Sequence, residues 1–80
     1  MNEKRFDRLL QRIGCGLEYL RLQKGFLTMK AFAIHYGLPT IQYWRIERGK
    51  SNLRFNTLVQ LLAIHGLELQ DFFAIVKEKC

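Results

Sequence analysis

Apolar residues recur along most of this chain at intervals of three and four, the spacing that lines one face of an α-helix. Phe6, Leu9, Leu10, Ile13, Leu17 and Leu20 share the first such face and predict a helix from about Glu3 to Gln23, with Asn2 placed to cap it. Gly14 and Gly16 lie inside this run and are expected to weaken it locally. Gly25 ends it, and Thr28 stands where a side-chain oxygen caps a second, short helix, Met29 to Tyr36. A third amphipathic run opens at Thr40 and closes at Arg48, with Pro39 near the first helical position, where a missing N–H does no harm. Gly49 stops it. The loop Lys50 to Arg54 leads to a fourth helix, Phe55 to His65, whose core residues should be Leu58, Leu61 and Leu62. Beyond Gly66, a last helix from Leu69 to Lys79 carries Leu69, Phe72, Phe73 and Val76 as its apolar set. No strand-period alternation, repeat or low-complexity tract breaks the pattern, so the prediction is an all-α bundle of five helices in one small domain, residues 1–80.

The run GLPTIQYWRIERG, Gly37 to Gly49, adds a specific geometry. Two helices crossing steeply need a small residue at their closest approach, and Ala33 sits midway along the second helix. Gly37 falls where the chain must turn sharply, a position that favours positive φ. Phe32, Tyr36, Leu38, Tyr43 and Ile46 then form the internal face, which leaves Thr40, Ile41, Gln42, Trp44, Arg45 and Arg48 outside. That is the outline of a helix-turn-helix, in which the second helix presents its outer face to base edges in the major groove.

Over roughly Ile13 to Phe73 these residues resemble the Cro and phage-repressor type (XRE-like) helix-turn-helix domains. The pattern is carried by Leu20-Arg21, Gly25, Thr28, Phe32-Ala33, Gly37-Leu38 and Glu47-Arg48-Gly49, with Asn52, Leu58 and Gly66 in register downstream. Each dipeptide alone is weak; their joint spacing is specific. The resemblance implies a five-helix, lambda-repressor-like domain with the motif in helices two and three. It also implies binding to operator-like double-stranded DNA, usually as a symmetric dimer, and regulation of transcription as a repressor. Thr40, Ile41 and Arg45 match the base-reading positions, with Gln42 beside them as a further base-reading candidate, and Arg45 is the sharpest of them because a guanidinium can bind guanine O6 and N7 together. Lys50, Ser51, Asn52 and Arg54 match the loop that holds phosphates, Arg48 just before it is a further phosphate candidate, and Arg21 and Glu47 match a structural ion pair between the first and third helices.

Four positions depart from that pattern. Met29 stands where relatives commonly have a phosphate-contacting Gln, so Lys30 is the substitute phosphate contact. Pro39 and Arg54 replace capping serines. Trp44 takes a position usually small or polar, and three assignments stay open for it: packing against the loop or first helix, DNA contact, or a protein interface.

Charge bears on the choice of partner. The net charge is +6, and from Lys4 to Lys24 there are six basic residues against Asp7 and Glu18. From Thr40 to Asn56, Arg45, Arg48, Lys50 and Arg54 face Glu47 alone, and beyond Asn56 the balance turns slightly acidic. A skew that follows the reading helix suits phosphate attraction. The chain has no apolar run long enough to span a bilayer, and MNEKRFDRLL mixes charges where a signal peptide needs an apolar block, so it reads as cytoplasmic, with no membrane partner. Cys15 and Cys80 lie far apart without metal-ligand spacing and are expected to be reduced, Cys15 inert in its helix and Cys80 exposed. His35 and His65 have no ligand cluster around them, so neither a metal nor another cofactor is expected. No Gly-rich phosphate loop or catalytic constellation is present, and Glu68 and Asp71 read as first-turn acids of the last helix, so neither enzyme activity nor a small-molecule substrate is expected.

Two further expectations concern partners. Ile64, Phe73, Ile75 and Val76 exceed what one small core needs, which predicts a homodimer through the C-terminal helices. The alternative function is a protein-interaction module of the same fold, an antitoxin or a polymerase-binding partner, anchored by Ile41, Tyr43 and Trp44.

Overall fold

Five helices form where the three-four spacing places them: α1 (Glu3–Gln23), α2 (Met29–His35), α3 (Thr40–Glu47), α4 (Phe55–Ile64) and α5 (Leu69–Lys79). The computed structural model describes residues 3–80, so the Asn2 cap falls outside the described residues. α2, α3 and α4 each end one residue earlier than expected. Tyr36, Arg48 and His65 are their C-caps, with ψ near zero, and a glycine of positive φ follows each. Behind α2 the Leu38 N–H reaches the Ala33 carbonyl at 2.8 Å, and behind α3 the Lys50 N–H reaches that of Arg45 at 2.8 Å. Both turns therefore satisfy a helix-end carbonyl that would otherwise lack a partner, and the left-handed Gly37 and Gly49 make the geometry accessible.

At the N-termini the caps differ in kind. Thr28 Oγ1 accepts from the Ala31 N–H at 3.1 Å. Pro39 is the N-cap of α3 rather than a helical residue, and neither it nor Arg54 offers a side-chain cap. Glu68 is likewise the N-cap of α5, outside the first turn, and its N–H donates to Asp71 Oδ2 at 3.1 Å.

The core is one cluster: Ile13, Leu17 and Leu20 of α1, Phe32 and Ala33 of α2, Tyr43 and Ile46 of α3, Leu58, Leu61 and Leu62 of α4, and Phe72 and Val76 of α5. α1 runs through its middle, packing on α3 along one side and α5 along another, while α2 packs on α3. Leu9 departs from its predicted face and is 43% exposed. The early turns of α1 reach the open surface, where Phe6 and Leu9 line a cleft with Arg5, Arg8 and Arg12. Of the four residues read as surplus, Val76 belongs to the core and Ile64 and Ile75 pack partly against it; Phe73 stays 40% exposed.

α1 runs unbroken through Gly14 and Gly16. A Cβ at Gly14 would collide with the Glu47 carbonyl, and one at Gly16 would meet Val76 Cγ2 at 2.7 Å and Phe72 Cε1 at 2.9 Å. The helix gives up propensity at these two positions so that α3 and α5 can approach its backbone.

The expectation of two independent, reduced cysteines is also corrected: Cys15 and Cys80 form a disulfide, with their Cα atoms 6.1 Å apart. The fold lays the end of α5 back on the middle of α1, a proximity invisible at a separation of 65 residues. Among the described residues, no single helix is long and apolar enough to cross a membrane.

His65 caps α4 with its ring stacked on Phe32, centroids 5.6 Å apart and planes 5° from parallel. Burial, and then the charge of Lys24, lowers its pKa from 6.5 to about 4. The stability this contributes is fully present above pH 6.5 and is lost as pH falls from there towards 4. With allowance for the ring's partial exposure, we expect wild-type folding stability to fall by about 2 kcal/mol across that window. His65→Leu should flatten that part of the profile; urea midpoints measured at each pH check it.

Candidate nucleic-acid interface

α3 divides sharply between an inner and an outer face. Tyr43, Ile46 and Glu47 are buried, as three- and four-residue spacing demands of a helix lying on α1 and α2. Facing outwards are Ile41, at 76% exposure, Gln42, Trp44, at 41%, Arg45 and Arg48, with Thr40 half-buried at the helix start. All four expected base-reading residues thus lie on one short helix, and three of them are exposed. Tyr43 is buried and unavailable as the surface anchor that the interaction reading enlisted.

The helix is held from below by Arg21. Its Nε donates to Glu47 Oε2 at 2.9 Å, its Nη2 to Glu47 Oε1 at 3.3 Å, and its Nη1 to the Phe26 carbonyl at 2.7 Å. One buried guanidinium thereby ties α1, the loop before α2 and the last turn of α3 into one body. A bidentate pair of this kind fixes orientation as well as distance. Beside it the Tyr43 hydroxyl is buried and without a well-formed hydrogen-bond partner. Burial first, and the neighbouring Glu47 carboxylate second, push the Tyr43 pKa well above the usual phenol range.

At the same C-terminal end of α3 the following loop is clamped to the helix. Arg45 Nη2 donates to the Lys50 carbonyl at 2.9 Å, and the Lys50 N–H returns to the Arg45 carbonyl. Arg45 therefore commits one of its five N–H donors to the loop. Arg48 lies over the Trp44 ring, 5.5 Å from its centroid, so the indole is partly covered by a cation rather than inserted into the core. Gly49 packs against the backbone of α1, where a Cβ would stand 2.8 Å from the Gln11 Cα. That contact sets the start of the loop Lys50, Ser51, Asn52, in which Lys50 and Asn52 are exposed and Ser51 is half-buried.

Arg54, just before α4, and Lys30, on α2, are exposed as well. One feature was missed from sequence: Asp7 and Leu10 of α1 share a shallow cleft with Gly49, Lys50, Ser51 and Asn52. An acid therefore borders the otherwise basic loop. The signal that could have located it, Gly49 against Gln11, is a backbone contact without a sequence signature. Among the described residues, no group of three or more His, Cys, Asp or Glu side chains could hold a metal ion.

No protein-family model, no curated protein and no solved structure matches this chain.

Proposed function

We propose that this chain binds double-stranded DNA sequence-specifically through α2 and α3, used as a helix-turn-helix of the Cro and phage-repressor type, and regulates transcription as a repressor. The observation that carries the reading is the outer face of α3. A helix whose inner face is locked by Arg21 presents Gln42 and Arg45 outwards, beside a loop with Lys50 and Asn52 exposed. In this reading Thr40, Ile41, Gln42 and Arg45 meet base edges, and Ile41 packs on a thymine methyl. Lys30, Arg48, Lys50, Ser51, Asn52 and Arg54 meet phosphates, which position the helix without reading sequence. The protein acts as a homodimer, with Phe73 on α5 and the neighbouring Phe55, 67% exposed, at the contact, and its half-sites lie about one helical turn apart.

Selection from a randomised duplex pool at low salt tests the reading, and recovery of no sequence sinks it. Within a selected site, Arg45→Ala should relax preference at one base pair by about 1–3 kcal/mol. Lys50→Ala should weaken every sequence alike and reduce the salt slope by about 1. Titrations against single-base variants at several salt concentrations separate the two effects.

The exposure of Ile41 and Trp44 favours a second reading, in which the same face docks on a protein such as a toxin or a polymerase subunit. Binding through that apolar pair would hardly respond to salt.

A further inference from the structure

The Cys15–Cys80 disulfide closes over the contact that seats α5. Cys15 lies between Gly14, against which the end of α3 packs, and Gly16, against which Phe72 and Val76 pack. Its partner follows α5 directly, and the Cys80 N–H donates to the Val76 carbonyl at 2.9 Å, so the bridge and the last turn of α5 share one backbone. Lys79 Nζ adds a contact 5.6 Å above the Tyr19 ring, again on α1. α5 packs far more on α1 than on α4, so its position is set from the α1 side. Cys80 is exposed and Cys15 half-buried, which leaves one sulfur open to attack while the core beneath, Phe72 and Val76, stays closed.

We propose that Cys15–Cys80 is a reversible redox modification site whose co-reactant is a dithiol, and that its reduction loosens α5 and weakens duplex binding by disturbing the dimer contact at Phe73. The coupling to DNA rests on the function proposed above; the loosening of α5 does not. In the first step a thiolate of the dithiol attacks the exposed Cys80 Sγ, the Sγ–Sγ bond breaks, and the Cys15 thiolate leaves and takes up a proton. The second thiol of the co-reactant then attacks the mixed disulfide and releases Cys80 as a thiol. Two electrons and two protons have passed to the protein, and the dithiol has become its own disulfide. Reoxidation is the same exchange run in reverse, with the co-reactant's disulfide taking up the two electrons and two protons, and it has one intramolecular outcome, because the 80 residues contain two cysteines and their Cα atoms already stand within bridging range. With the bridge open, α5 keeps only its non-covalent contacts with α1, those of Phe72, Val76 and Lys79, so the whole helix is less firmly seated.

The test uses the 80-residue chain, oxidised, reduced with dithiothreitol and reoxidised, together with Cys15→Ser and Cys80→Ser. Amide hydrogen exchange should accelerate over Leu69–Lys79 on reduction while α1 to α3 keep their protection and total helicity is retained. Dimer and duplex dissociation constants should rise by about tenfold or more, as loss of a preordered contact implies, and return on reoxidation. Both serine variants should resemble the reduced protein and ignore dithiothreitol. Unchanged α5 protection, global loss of helicity, or a redox response that survives in Cys15→Ser overturns the site. Faster α5 exchange with unaltered dimer and duplex affinity overturns the coupling. Failure to bind any duplex in either state overturns the DNA reading alone, since exchange and dimerisation still decide the redox site.

Discussion

Replacing Arg21 with Met should lower folding stability by about 3–5 kcal/mol, a large part of what a domain of this size possesses. The loss does not measure the net strength of the ion pair, because desolvation offsets much of the attraction between two buried charges. It arises because Glu47, itself buried, is left as an unpaired carboxylate on the inner face of α3, and because the Phe26 carbonyl loses the Nη1 donor. The double variant Arg21→Met/Glu47→Leu should therefore recover most of the stability lost by the single one. Chemical denaturation of the four members of the cycle measures this. A double variant no more stable than Arg21→Met would mean that packing around Arg21, rather than its charge, holds α3 in place.

Gly14→Ala should destabilise by about 3 kcal/mol, even though alanine is the better helix former by about 1 kcal/mol. The added methyl would meet the Glu47 backbone, which cannot rotate away as a side chain can, so α1 and α3 must separate. Gly16→Ala should cost less, because the atoms it meets belong to the Val76 and Phe72 side chains. The order of the two effects is the informative result. Equal losses at both positions would show that the cost is not set by backbone approach at α3.

These two predictions also mark the boundary of what the sequence discloses. The five helices are legible because a three-four apolar spacing and a glycine after the last turn are both local signals, and the glycines behind α2 and α3 stand one residue past the C-caps Tyr36 and Arg48. The exposure of Ile41, Gln42 and Arg45 follows from the same periodicity once Tyr43 and Ile46 face inwards. Gly14 and Gly16 could not be read in this way: a missing side chain lowers helix propensity in any context, and nothing nearby in the chain reveals that α3 and α5 occupy the space. The disulfide was hidden for the same reason, since 65 residues separate two sulfurs that only the packing of α5 on α1 brings together. In α5 the apolar stripe was found, but its division into buried Val76 and exposed Phe73 depends on how far the helix is rotated over Gly16. At the candidate interface, the Arg45 tie to Lys50 and the Arg48 cover over Trp44 are side-chain geometries that residue types permit without dictating.

The most direct test of the central claim is the salt dependence of binding to a selected duplex. Lys30, Arg48, Lys50 and Arg54 are exposed cations near α3, so the logarithm of affinity should fall against the logarithm of salt with a slope of about −3.5 per protomer. Affinity that does not change with salt, or the absence of any duplex that binds at low salt, would contradict DNA recognition by α3.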